Sequence, residues 1–251
     1  MADYIPVLTF HAIEDSPSVI SFSPELFGRF MEKLHRNGYG TLRLTDAAGL
    51  VRGRKPLPEK SFVLTFDDGY ESVYSEAFPV LRKYGMTATV FLAVGDTENR
   101  GASDRLTTLG GRRMLSWGEI REMKDAGIDF GAHTVTHPDL TAIDTAAVER
   151  EITGSKEIIE NNLGEPVLSF AYPYGLYDER CIEIAGRSFA CACSDDLGLL
   201  TASNAPYALR RVDAYYLRRE ELFGLVLTKL FPLYIFLRNI PRTINRRLGR
   251  R

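Results

Sequence analysis

Short apolar runs of strand length alternate with helical stretches along most of this chain, and that alternation restricts the fold more than any other feature. Residues 5–10 are an apolar run; after a loop, Ser23, Pro24 and Glu25 supply an N-cap, a proline at the first helical position and an acidic first turn. Leu26, Phe27, Phe30 and Leu34 then recur at helical spacing until Gly38 stops the run. The unit repeats, with strands expected over 62–66, 87–93, 128–132, 167–171, 189–193 and 209–212. Helices are expected over 72–84, from Ser116 to Gly127, over 145–163 and over 178–185, with Gly85 and Gly164 as further stops. Successive βα units need crossovers and so build a mostly parallel sheet. About seven of them predict an α/β fold, a distorted (β/α) barrel. Residues 1–220 are expected to form this body, and 221–251 an apolar and then basic segment. The stretch 96–113, rich in Gly, Thr and Arg, reads as an irregular excursion of the kind that lids and substrate loops use.

The bulk composition excludes several classes. A chain of 251 residues with 45% hydrophobic residues can bury a core. Its 31 Lys and Arg against 33 Asp and Glu give a formal net charge of −2, which argues against general nucleic-acid binding. Three cysteines, Cys181, Cys191 and Cys193, are too few and odd in number for a disulfide framework and favour a reducing compartment. The first residues show no basic region followed by a long apolar stretch, so a cytoplasmic location is expected. Cys191 and Cys193 sit two apart in an apolar strand and read as small core residues.

Polar residues gather where strands end: Thr65-Phe66-Asp67-Asp68-Gly69, His133-Thr134-Val135-Thr136-His137 and Tyr172-Pro173-Tyr174-Gly175. In a βα architecture the C-terminal strand ends share one mouth, so two carboxylates and two imidazoles would converge there. Imidazoles with a carboxylate suit zinc or another divalent transition metal, and three protein ligands leave positions open for water and substrate. Each piece also has a plainer reading. Asp-Asp-Gly can be a turn with a helix N-cap, two histidines four apart can be surface residues, and Tyr-Pro-Tyr-Gly can be a tight turn with aromatic packing.

Taken together and in this order, the three segments resemble motifs of the polysaccharide deacetylase family, the NodB-homology or carbohydrate esterase 4 group, over roughly residues 5–213. The resemblance implies a distorted barrel, a divalent metal and hydrolysis of acetyl groups on sugars. It implies Asp68, His133 and His137 as metal ligands, Asp67 as general base and the backbone N–H of Tyr174 as an oxyanion donor. An amide carbonyl is a poor electrophile, so a metal that polarises it and acidifies water answers the chemical need, and the departing amine then needs a proton.

The chain departs from the common family pattern in two places. It has no histidine after His137, where most members carry a late histidine. His11, at the end of the first strand, resembles the N-terminal strand-end histidine of the poly-β-1,6-N-acetylglucosamine deacetylase branch and is assigned the proton donor, with structural capping as the other reading. His35, at a helix end, reads as solvated. Ala171 stands where many relatives have an arginine that orients the catalytic aspartate. Arg211 is the substitute expected to reach Asp67, an exposed salt bridge being its alternative.

The C-terminal segment carries no acidic residue from Leu222 to Arg251. Its apolar part, broken by Lys229 and Pro232, is short for a membrane span, which needs about 20 residues. It suits either an interfacial segment whose arginines meet anionic lipid at the inner membrane face, or a closing helix on the barrel. The expected activity is removal of N-acetyl groups from an amino sugar in a polysaccharide or lipid-linked glycan. A deformylase of a lipid-linked formamido sugar and a catalytically silent carbohydrate-binding protein are the alternatives.

Overall fold

The computed structural model describes residues 2–95 and 104–247, residues 242–247 by backbone alone. In chain order its elements are β1 (Val7–Phe10), β2 (Ala12–Ile13), β3 (Ser21–Phe22), α1 (Pro24–Arg36), β4 (Gly40–Thr41), α2 (Leu44–Arg52), β5 (Ser61–Phe66), α3 (Phe78–Tyr84) and β6 (Thr89–Leu92). There follow α4 (Trp117–Asp125), β7 (Asp129–Ala132), α5 (Thr145–Leu163), β8 (Ser169–Ala171), α6 (Glu179–Ser188), β9 (Cys191–Leu197), β10 (Leu209–Asp213), α7 (Glu220–Val226) and α8 (Phe231–Arg247). The order β1-β10-β9-β8-β7-β6-β5 is parallel throughout and closes through the β1–β5 pairing, with β4 added beside β5. This is the distorted seven-stranded (β/α) barrel that the alternating pattern predicts.

The strands read as continuous apolar runs because both of their faces are covered. Val7, Val63, Phe91, Ala171, Cys191, Cys193 and Leu209 occupy one phase of the strands and form one buried cluster with Leu44, Ala47, Ala48 and Val51 of α2. The other phase, including Leu8, Phe10, Phe62, Leu64, Phe66, Val90, Leu92, Phe170 and Val212, joins the apolar faces of the outer helices. Each fully buried Phe or Leu contributes about 1.5–3 kcal/mol of transfer free energy. Burial pushes the Cys193 thiol up to about 12 and the Cys191 thiol well above its usual value, so both serve as inert core residues.

Helix boundaries follow local chemistry. Ser116 and Glu119 make a reciprocal capping box at the start of α4, and α5 runs from its Asp144 cap to a left-handed Gly164. The helix expected over 72–84 is broken instead: Val73–Ala77 is a π-helical turn and α3 begins at Phe78. Pro79 explains this, since it has no N–H to give to the carbonyl four residues earlier. β9 starts two residues later than expected and runs on to Leu197. The short strands β2, β3 and β4 and the helix α2 were not anticipated.

The inner faces of α7 and α8 pack against the barrel. Phe223 stacks on Phe30 of α1 at 4.4 Å, and Val226, Phe231 and Ile235 are buried in the same core. Among the described residues no helix is long and apolar enough to cross a membrane. Of the excursion expected over 96–113, residues 96–103 lie outside the described residues; Leu109 and Gly110 line the barrel mouth.

Candidate active site

Parallel closure carries the C-terminal strand ends to one mouth, and the polar groups occur there because the inward phase of each strand turns from apolar to polar at its end. Thr9 and Thr65 share a hydroxyl contact at 2.9 Å between neighbouring β1 and β5. One step further along the same phase stand His11 and Asp67, with Nε2 and Oδ2 3.9 Å apart. A cavity of about 570 Å³ opens over them, lined also by Asp68, Tyr70, His133, His137, Tyr174, Asp195, Asp213, Tyr215 and Tyr216. All the residues that the sequence singled out for this chemistry, His11, Asp67, Asp68, His133, His137, Tyr174 and Arg211, therefore meet at or directly beneath this mouth.

The ligand atoms of Asp68, His133 and His137 converge. Oδ1 of Asp68 lies 3.5 Å from Nε2 of His133 and 3.3 Å from Nε2 of His137, and the two Nε2 atoms are 3.2 Å apart. The His133 Nδ1–H donates to the Ala171 carbonyl at 2.7 Å, which turns Nε2 toward Asp68 and His137. Ligands held at about 2.0–2.1 Å around a tetrahedral ion stand roughly 3.3 Å from one another. The donor set and its spacing fit a divalent metal.

Backbone strain is concentrated at the same place. Asp68, Thr134, His137 and Tyr174 have φ of 74°, 69°, 59° and 57°. Such conformations cost non-glycine residues of order 1–3 kcal/mol each and persist where the surroundings impose them. Here the bonds that impose them are visible. Thr134 Oγ1 accepts from the His137 N–H at 3.0 Å, and Glu151 of α5 accepts from the N–H groups of Val135 and Thr136 at 2.8 Å each and from the Thr136 hydroxyl at 2.6 Å. One helix carboxylate thus fixes the turn that carries both imidazoles. In the third segment a Cβ on Gly175 would lie 2.4 Å from Cβ of Asp195, so only glycine lets that turn close against β9.

Arg211 of β10 is buried, not an exposed salt-bridge partner. Its two terminal nitrogens donate to the two Asp67 oxygens at 2.7 Å each, one also to Asp195 at 2.6 Å, and its Nε to the Ser194 carbonyl at 3.0 Å. A register shift between β9 and β10 sets four residues of β9 against two of β10 and brings Asp195 to the guanidinium. Burial pushes the Asp67 carboxyl up, but Arg211, His133 and His11 outweigh it and hold it below the usual carboxylate range. Asp68 is held well below that range, against burial, by its bonds to His133 and His137. Burial lowers the His133 imidazole, and Asp68 and Asp67 raise it by more.

Sequence reasoning passed over four groups of this site. Tyr70 lines it, its phenol pushed up by burial and by Asp68. Asp213 of β10, the register partner of Thr9, has its carboxyl raised by burial, against an opposing pull from His11. Asp195 and Glu151 support it from β9 and α5. Asp213 carried a usable signal, since it directly follows the strand expected over 209–212, on the phase of Arg211.

The chain is similar to known proteins in sequence and in fold. The polysaccharide deacetylase family model matches residues 54–188. YxkH of Bacillus subtilis, whose name places it among polysaccharide deacetylases, is 31% identical over 209 residues, 83% of this chain and 70% of that protein. The poly-β-1,6-N-acetyl-D-glucosamine N-deacetylase of Escherichia coli is 31% identical over 136 residues, 51% of this chain but 20% of its own length. Among solved structures, Streptococcus pyogenes deacetylase PplD in complex with acetate superposes with a TM-score of 0.74 at 29% identity, over 84% of this chain and 92% of PplD. A matching family model over more than half the chain, a relative aligned over most of its length and a barrel with converged motifs agree: the chain belongs to the polysaccharide deacetylase family.

Proposed function

We propose that the protein hydrolyses the N-acetyl group of an amino sugar in a polysaccharide or lipid-linked glycan, using a divalent metal, zinc by the type of its donors. The observation that carries this reading is the adjacency of the Asp68–His133–His137 donor set to an Arg211-clamped Asp67 and to His11 in one open mouth. A bound ion would supply Lewis acidity toward the acetamide carbonyl and lower the pKa of a water there.

The protein's own groups do the rest. Asp67 accepts a proton from the attacking water, its carboxylate fixed in place by the two Arg211 donors. The Tyr174 backbone N–H donates to the oxyanion that develops as water adds to the carbonyl carbon. His11 Nε2, beside Asp67 at the mouth, donates a proton to the sugar nitrogen as the carbon–nitrogen bond breaks, which releases acetate and a free amine. Tyr174 and Tyr215, 61% and 50% exposed at the rim, offer flat faces against which sugar rings stack.

Three observations support an acetyl substrate. PplD is described in complex with acetate, the Escherichia coli relative is named for poly-N-acetylglucosamine, and the mouth here is open above the donor set. A silent glycan binder would fit the missing late histidine and Ala171, but His11 and Arg211 bring an imidazole and a guanidinium to the mouth from other strands. Mass spectrometry of amino-sugar glycans and lipid-linked sugars, before and after incubation with zinc- or cobalt-loaded protein, tests the reading. Loss of acetyl mass is expected. Loss of formyl mass alone would replace the acyl group by formyl, and no change in any conjugate would overturn the hydrolase.

A further inference from the structure

α8 packs one face on the barrel and leaves the other uncovered. Phe231 and Ile235 are buried, whereas Leu233, Phe236, Leu237 and Ile240 are 54%, 64%, 54% and 40% exposed, and Leu230 just before the helix is 59% exposed. Spacings of three and four place the four residues of α8 on one side of the helix, opposite the buried pair. Isolated exposed leucines are ordinary, but a contiguous row that includes a phenylalanine is not.

The charge around this row points to one kind of occupant. None of the 33 acidic residues lies in residues 222–251, while Lys229, Arg238, Arg242, Arg246, Arg247, Arg250 and Arg251 all do. A chain with net charge −2 thus concentrates positive charge at the end that carries the uncovered apolar row. A second copy of the chain would bring like charge to the same place. An anionic lipid surface takes the apolar row at the boundary of its headgroups and neutralises the arginines. We propose that α8 docks the protein in the plane of an anionic membrane, without crossing it.

The geometry also ties this helix to the active site. The Tyr234 hydroxyl donates to the Tyr216 carbonyl at 2.6 Å, and Tyr216 lines the catalytic mouth. Its neighbour Tyr215 lies under the Arg218 guanidinium, which donates to the carbonyls of Ser18, Val19 and Ser21 beside the mouth. Docking through α8 therefore fixes the mouth at a set place relative to the lipid surface, as suits a substrate made or held at a membrane.

Vesicle flotation of the full chain tests this without reference to activity. Vesicles containing phosphatidylglycerol should carry the protein, pure phosphatidylcholine vesicles should carry far less, and added salt should weaken the association. Phe236→Glu/Leu237→Glu should lower partition at least about tenfold and leave hydrolysis of a small soluble substrate unchanged. Leu233→Glu should act in the same direction, and a thermal melt matching the wild type should verify the fold of each variant. No partition onto phosphatidylglycerol vesicles, or equal partition of the folded variants, would overturn the proposal. A dimer seen by light scattering that the same substitutions dissolve would also overturn it, by assigning the face to a second copy.

Discussion

Arg211 grips Asp67 at both carboxylate oxygens, 2.7 Å to each, and neither side chain is exposed beyond 3%. The two residues are 144 positions apart and meet because β10 and β5 both flank β1 in the closed barrel. The pairing keeps a buried carboxylate charged next to the Asp68–His133–His137 donor set, and it does so without an arginine at position 171.

Breaking this pair from either side should be costly in different ways. Arg211→Met leaves the Asp67 charge buried without its partner, which costs about 3–5 kcal/mol, or about 6–20 °C in Tm. Arg211→Lys keeps the charge but loses the two-point geometry; kcat should fall about 10–100-fold with KM nearly unchanged. Because the folded-state pKa of Asp67 lies below its ordinary value, its ionised form adds stability above that ordinary value, and the contribution fades as pH drops through the folded pKa. Thermal melts across acid pH, wild type against Asp67→Asn, should converge there.

His11 stands 16% exposed at the mouth with Nε2 3.9 Å from Asp67. With His11 as the proposed proton donor to the leaving amine, His11→Ala should lower kcat on the order of 100-fold or more, with metal content unaltered. A poorer amine leaving group should feel the substitution more than a better one, and a pair of such substrates measures the difference.

Glu151 receives three donors from the turn between His133 and His137. Glu151→Ala should free that turn and weaken metal affinity about 10–100-fold, the usual effect of removing support behind metal ligands. Glu151→Gln, which keeps one acceptor oxygen, should lose less. Metal titration by calorimetry gives both values.

Protons would compete with the proposed metal at His133. Its raised pKa stabilises the ion-free fold in acid, through an imidazolium facing Asp68, and this contribution is lost as pH rises through the folded pKa. A cation takes over above that pH, so the gain in Tm on adding zinc should grow with pH. The apparent Kd should fall about tenfold per pH unit for each proton displaced.

Much of the site was legible because its chemistry sits in short contiguous motifs at strand ends. Thr65 to Gly69 and His133 to His137 each combine an apolar strand with polar ligands in one reading frame. His11 and Arg211 could be reached by asking which other strands end in a titratable or cationic group. Asp195 was hidden by the register shift that re-aims β9, and Glu151 by its ordinary appearance on the face of an amphipathic helix. The π-helical turn ahead of α3 went unread because periodicity outweighed Pro79. Strands of two residues such as β2 and β4 carry too little pattern to be seen at all.

The central claim is that Asp68, His133 and His137 hold one divalent ion at the barrel mouth. Elemental analysis of purified protein after zinc loading and dialysis measures this directly. The account predicts about one ion per chain in the wild type and in Asp67→Asn, and loss of nearly all of it in folded Asp68→Ala, His133→Ala and His137→Ala variants. Full occupancy in those three variants would contradict it.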